Sequence, residues 1–207
     1  MMKFITLISI LLLAVFSSEI RAQDTINLLS GKQIFAKSIY EEPNSSVLKY
    51  DISFHGKDKQ SSVDLLNIYS VNYANKTKKI FYRQDSAIGF ELSAKQMEYF
   101  MLGERDALKN HKTPWITVGG FVVGAVVTHY VQFWGLLTPV VYATAFGIFT
   151  PKIHSSPNFG SNITGDYNYM EGYKYTATRK KVKNALLGTI LGFAVYSITS
   201  YAINDVF

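Results

Sequence analysis

The rhythm of apolar and polar positions changes three times along this chain. Residues 24–92 follow a period of two. In "SVLKYDISFHG", Val47, Lys49, Asp51 and Ser53 alternate with Leu48, Tyr50, Ile52 and Phe54. Such alternation puts one set of side chains on each face of a strand. "TINLLSGKQIFAKSIY" turns at Ser30-Gly31, "SVDLLNIYSVNYANKTKKIFYR" turns at Ala74-Asn75-Lys76, and "AIGFEL" closes the set. Gly, Asn, Asp and Ser between the runs are strand-ending signals. Five or six short strands in about 70 residues predict a small antiparallel β-barrel or sandwich. An SH3-like or Sm-like barrel is the preferred form, and a PH-like sheet with a capping helix is the alternative.

The period then becomes helical. In "LSAKQMEYFMLGERDALKNHK", Ser93 with Gln96 three residues later is a capping box. Met97, Phe100, Met101 and Leu108 mark an apolar face, and Gly103 weakens the middle of the helix. Glu104, Arg105 and Asp106 are adjacent, so they point in different directions around the helix. They are expected on a solvated face with local ion pairs rather than in an active site. Pro114 suits the first turn of a new helix.

The third regime is apolar throughout. From Trp115 to Thr150 there is no Asp, Glu, Lys or Arg. A straight helix of that length would reach roughly 54 Å, against a bilayer core of roughly 30 Å. Gly135 and Pro139 in "FWGLLTP" are the expected break. One span is predicted over about 115–134. A piece over about 138–149 is re-entrant, interfacial or the return arm of a hairpin. Polar "PKIHSSPNFGSNITGDYNY" reads as a loop, and a helix from about Met170 leads into the uncharged "NALLGTILGFAVYSITSYAI". The chain is thus expected to be α+β: a soluble β-rich domain with its helix (23–112), a first apolar helical region (113–150), a polar loop and basic helix start (151–183), and a last transmembrane helix (184–203).

The first residues add an address. Lys3, an apolar core from Phe4 to Phe16 and "EIRA" predict a signal peptide over 1–22, cleaved after Ala22. The chain has no cysteine, which excludes a disulfide framework, a thiolate metal site and a lipid-modified cysteine. Of its net charge of +6, about +1 belongs to the signal segment and the rest to "KYTATRKKVK". Lys174, Arg179, Lys180, Lys181 and Lys183 form one basic patch beside an apolar helix. Anionic lipid head groups are its expected partner; nucleic acid is not.

Each apolar region carries two glycines four apart, Gly120 with Gly124 and Gly188 with Gly192. Residues four apart share a helix face, and small residues let helix backbones approach in lipid. The two stripes are expected to face each other or to pack against a second copy. His129 is a candidate intramembrane polar site, because ionisable groups within spans are rare. The "GGFVVG" glycines follow no strand, so they are no phosphate cradle. The chain shows no nucleophile elbow, P-loop, metal-ligand spacing or paired-carboxylate site, and no cofactor is expected.

Orientation follows from these pieces. A single crossing by 115–150 puts "RKKVK" on the cytoplasmic side, as basic residues prefer. That arrangement, with two crossings in all, is the expected one. A hairpin crossing twice would instead leave "RKKVK" on the exported side.

"DTINLLSGKQIFAKSIYE", "VNYANKTKKIFYR", "FELSAKQMEYFMLGERDA" and "MEGYKYTATRKKVKNALLGTILG" together resemble a group of uncharacterised exported envelope proteins of Bacteroidota. The resemblance covers most of the mature chain and implies no activity. The expected role is that of a non-enzymatic envelope protein. Its helices anchor a binding or scaffolding β-domain in the periplasm, in the inner membrane by preference and otherwise in the outer one. Membrane lipids are expected partners, as is a second copy or another envelope protein. The alternative is a component of a lipid or solute transport assembly with oligomerising helices.

Overall fold

The computed structural model describes residues 23–54, 57–153 and 160–204. The expected signal peptide, His55 and His154 lie outside these residues. Seven strands come first: β1 (Asp24–Leu28), β2 (Gln33–Ala36), β3 (Ser38–Tyr40), β4 (Val47–Phe54), β5 (Lys57–Asp64), β6 (Ile68–Asn72) and β7 (Lys78–Ile80). They form two antiparallel sheets, β2-β1-β6-β7 and β3-β4-β5. Only Lys37 separates β2 from β3, and its N–H donates to the Asp51 carbonyl at 2.8 Å. The chain thereby passes from one sheet to the other.

Ile26, Ala36, Leu48, Tyr50, Ile68 and Val71 are buried in one cluster. Full burial of an Ile, Leu or Val contributes about 1.5–3 kcal/mol, so this cluster is the domain's main hydrophobic store. Neither sheet closes on itself among the described residues. The fold is α+β with antiparallel sheets.

Three local readings change. β5, "KDKQSSVD", is mostly exposed and lacks an apolar rhythm. It is a strand because it pairs with β4 along its whole length, from Val47↔Asp64 to Phe54↔Lys57. The run "SVDLLNIY" breaks at a 3₁₀ turn over Leu65–Asn67, where the Asp64 side chain accepts from the Leu66 N–H at 2.9 Å. "AIGFEL" is no strand: a 3₁₀ turn occupies Ser86–Ile88, and Gly89 ends it at φ 83°. Asp85 supplies the cap that favours this turn.

Helices follow: α1 (Ala94–Asn110), α2 (Pro114–Val131), α3 (Thr138–Ile148), α4 (Ser161–Thr164) and α5 (Tyr167–Asn204). Both bonds of the Ser93–Gln96 capping box are present at the start of α1. Met101 packs with Tyr69 and Tyr82, so one face of α1 covers the first sheet. Gln132, at φ 49°, ends α2 and begins a 3₁₀ segment over Gln132–Leu137. Gly135 lets that segment fold back onto Thr128: a Cβ there would lie 2.9 Å from the Thr128 Cα. α3 then returns along α2. Tyr142 OH donates to the Ile116 carbonyl at 3.4 Å, and the Phe149 carbonyl accepts from Lys181 Nζ at 2.6 Å. Residues 138–148 thus double back along α2, and the chain reaches the level of Lys181 at Phe149.

α5 has 38 residues, about 57 Å at 1.5 Å per residue. α1 and α2 lie along it in succession, and both run parallel to it. Thr176 bonds Glu104, Lys180 bonds Leu108 and Asn184 bonds Thr113, separations of 72, 72 and 71 residues. This constant offset means that the start of α5 sits beside α1, which covers the first sheet, and its later half beside α2. The basic segment 174–183 is therefore at the β-domain's end of the bundle. The expected placement of "RKKVK" at the opposite end is corrected, because these residues pack directly on α1.

Candidate functional site: the glycine seam, its basic collar and the distal groove

The seam between α5 and its neighbours is built from backbone contacts. Gly120, Gly124, Gly188 and Gly192 are all buried. A Cβ on Gly188 would overlap the Thr117 carbonyl, and one on Gly192 would overlap the Phe121 carbonyl. In the other direction, a Cβ on Gly124 would overlap the Thr189 carbonyl, and one on Gly120 would lie 3.2 Å from the Ala185 carbonyl oxygen. Each helix thus seats its glycines on the other's main chain. Within one chain the two stripes face each other, and none of the four glycines is left for a second copy.

The seam continues beyond the apolar region. A Cβ on Gly103 would overlap the Tyr169 carbonyl, and one on Gly172 would overlap that of Phe100. Gly103 therefore brings α1 against α5. The available signal was the spacing: Gly103 and Ala107 are four apart, as are Gly172 and Thr176.

This close approach buries the "GERDA" segment. Glu104 and Asp106 are 4% and 2% exposed, so they form no solvated face. Asp106 accepts from Tyr169 OH and from Asn110 Nδ2. The Arg105 guanidinium turns the other way, donating to Asn27 Oδ1 at 2.8 Å and to the Gly31 carbonyl at 3.3 Å. Asn27 Nδ2 in turn donates to Ser70 Oγ at 3.1 Å. Three consecutive side chains thus tie α1 to α5 and to the first sheet, because they point in different directions. Glu104 Oε1 accepts from Thr176 Oγ1 at 3.1 Å, while Oε2 is buried without a hydrogen-bond partner among the described residues. Burial pushes its pKa up to about 7, against the opposing pull of the Thr176 bond and the Arg179 charge.

The five basic residues divide into three uses. Lys180 Nζ donates to the Ala107 and Leu108 carbonyls at 3.1 and 2.9 Å, in the last turn of α1. Lys181, 7% exposed, donates to Phe149 at the end of α3. The Leu108 and Phe149 carbonyls lie at helix ends, the Ala107 carbonyl accepts from the His111 N–H as well at 3.1 Å, and a cation there also suits the helix dipole. Lys174 pairs with Glu171 at 3.3 Å. Arg179 lies over the Tyr175 ring at 5.4 Å. Arg179 and Lys183 are exposed and in no ion pair among the described residues.

Below this collar the surface is apolar. Two helical stretches, Pro114–Ile148 and Tyr167–Ala202, are long and apolar enough to cross a membrane, each with a mean hydropathy of 1.5 over its best window. Only 17% and 22% of those windows are buried, unlike core helices of a soluble protein. Trp115 is exposed at the collar end, and Tyr130, Phe133, Trp134 and Tyr201 are exposed at the other.

His129 lies at that distal end. Its Nδ1 and Tyr196 OH share a hydrogen bond of 2.8 Å. Tyr196, four residues after Gly192, is thus the histidine's partner across the seam. With Gln132, Ser197 and Ser200 they line an open groove of about 410 Å³. No group of three or more His, Cys, Asp or Glu side chains suited to a metal ion occurs among the described residues. Comparison with protein-family models, with curated proteins and with solved structures finds no match.

Proposed function

We propose that this chain is a non-enzymatic membrane protein of the cell envelope, in which a glycine-packed helical bundle anchors a β-domain that binds or scaffolds. The observation that carries this reading is the sharp division of α5. Its first half is packed on α1; its second half exposes Leu187, Ile190, Leu191, Val195 and Ile198. Burying such a surface in lipid is favourable, whereas leaving so large an apolar patch in water is rare in soluble proteins.

In this reading three segments cross. α2 has 18 residues, about 27 Å. The return arm combines six residues of 3₁₀ helix and 11 of α3, about 28 Å in all. The second half of α5 is the third. The β-domain, the loop near residue 160 and the basic collar lie on one side, taken as the exported side from the signal-like start. The far end of α5 lies on the other.

Membrane fractionation with protease-cleavable tags tests this. A tag at residue 160 should be cut from the β-domain's side, and one after residue 204 only from the opposite side. Release of the chain into the soluble fraction by alkaline carbonate would overturn the membrane reading. Cleavage of the residue-160 tag from the opposite side would overturn the three-crossing arrangement.

The polar groove at His129 favours the second reading, a component of a lipid or solute transport assembly. His129→Ala should then change flux of the transported solute while leaving the fold intact. Unchanged flux removes that reading.

A further inference from the structure

The outer face of α5, turned away from the glycine seam, presents a groove of about 500 Å³ whose lining includes Arg179, Val182, Lys183, Leu186, Leu187 and Ile190. These positions recur at three- and four-residue spacing, so they share one face of the helix. The two cations stand at one end of the groove, and the apolar side chains continue from them toward the distal end. The height of the cations is fixed by their neighbours. Lys181, between them in sequence, caps α3 at Phe149, and Asn184, just after them, bonds Thr113 ahead of Trp115. Arg179 and Lys183 therefore sit at the level where the exposed apolar surface begins.

The charge on this face is one-sided. α5 has no Asp or Glu after Glu171, and Glu171 is engaged by Lys174. Lys180 and Lys181 are spent on carbonyls, which leaves the exposed Lys183 and Arg179, the latter resting on the Tyr175 ring, to meet an external anion. Arg presents a planar fork that matches phosphate oxygens, and Lys adds a point charge. A second copy of the chain suits the groove poorly. In the same membrane orientation it would bring its own Arg179 and Lys183 to the same height.

We propose that Arg179 and Lys183 hold the phosphate of an anionic phospholipid from the leaflet on the β-domain's side, with its acyl chain along Val182, Leu186, Leu187 and Ile190. This rests on the membrane reading above and goes beyond it by naming one lipid class and one face. Charge attraction near the surface and burial of an acyl chain act together at such a site.

The full-length chain, purified in neutral detergent, is titrated with phosphatidylglycerol and with phosphatidylcholine, and binding is read by native mass spectrometry. Phosphatidylglycerol should bind on the order of tenfold more tightly. R179Q/K183Q should abolish that preference, and K174Q should retain it. L187N keeps both charges but breaks the apolar floor, and should weaken phosphatidylglycerol. Soluble glycerol phosphate should bind far more weakly than the lipid. Equal affinity for the two lipids, a preference that survives R179Q/K183Q, or glycerol phosphate binding as tightly as the lipid would each overturn the proposal. Helical content by circular dichroism checks that the variants are folded. Failure of lipid discrimination by a chain that stays in carbonate-washed membranes sinks this inference alone; loss of the chain to the soluble fraction sinks the membrane reading.

Discussion

Glu104 shows how one residue can set a pH response. Its carboxyl ionises near 7 in the folded chain because it is buried, against 4.5 for the free group. The folded state therefore holds the extra proton between those values. Stability from this group is full below about pH 4.5, falls as pH rises through about 7, and is flat above. Glu104→Gln keeps an acceptor for Thr176 and cannot ionise. It should stabilise the chain by roughly 1–2 kcal/mol at pH 8 and change little at pH 4.5. Thermal unfolding in detergent at both pH values checks this, and an equal shift at both would show that ionisation is not the cause. Gly172 gives a steric counterpart. Gly172→Ala places a methyl group into the Phe100 carbonyl, and should cost roughly 2–3 kcal/mol by forcing α1 from α5. Gly160→Ala meets nothing within 4 Å and should be near neutral. The same unfolding measurement compares the two.

At the scale of elements, helix ends matter more than helix middles. α1 ends at Asn110, and Lys180 adds donors to its Ala107 and Leu108 carbonyls. Lys180→Met should fray that turn at a cost of about 1 kcal/mol. Hydrogen exchange should rise at Asn110 and His111, whose amides close the last turn, and stay unchanged in the middle of α5. Such caps were not legible in the sequence. "RKKVK" reads as a single basic patch until three-dimensional neighbours assign Lys180 and Lys181 to different helix ends. The glycine pairs were legible, because a spacing of four has one meaning on a helix. The capping box at Ser93 was legible too, since both its bonds are local. β5 was not, because its identity comes from β4 rather than from its own polar side chains. The "GERDA" acids were misplaced for a related reason. Charge signals solvent by default, and the donors Tyr169 and Thr176 that help make burial tolerable lie more than 60 residues away.

For the whole molecule, the parallel alignment of α2 and α5 decides the topology. It requires the chain to come back between them, and α3 does so. This also accounts for the basic segment lying on the β-domain's side despite its charge: two of its lysines are committed to helix ends and no longer act as loose surface cations. The absence of native cysteine makes the register directly testable. Thr113→Cys with Asn184→Cys replaces a side-chain pair 2.6 Å apart. Oxidation should give a crosslinked species of monomer size, with faster migration on a denaturing gel. A dimer-sized product in its place would mean that the seam is made between chains.

The constant offset of about 72 residues also has a consequence in time. Every contact along the seam joins a segment to one synthesised much later, so the loop to be closed is long and closure is slow. While α1 and α2 emerge, Glu104 lacks its Thr176 donor, Asp106 keeps Asn110 but lacks Tyr169, and Gly120 and Gly124 have no helix to pack against. A nascent chain stopped before Tyr167 would leave the α1 and α2 faces that α5 covers open, and should be cleaved faster by proteases than the full chain. Assembly is therefore expected to finish in one late step, as α5 docks from its tyrosine-rich start toward its apolar half.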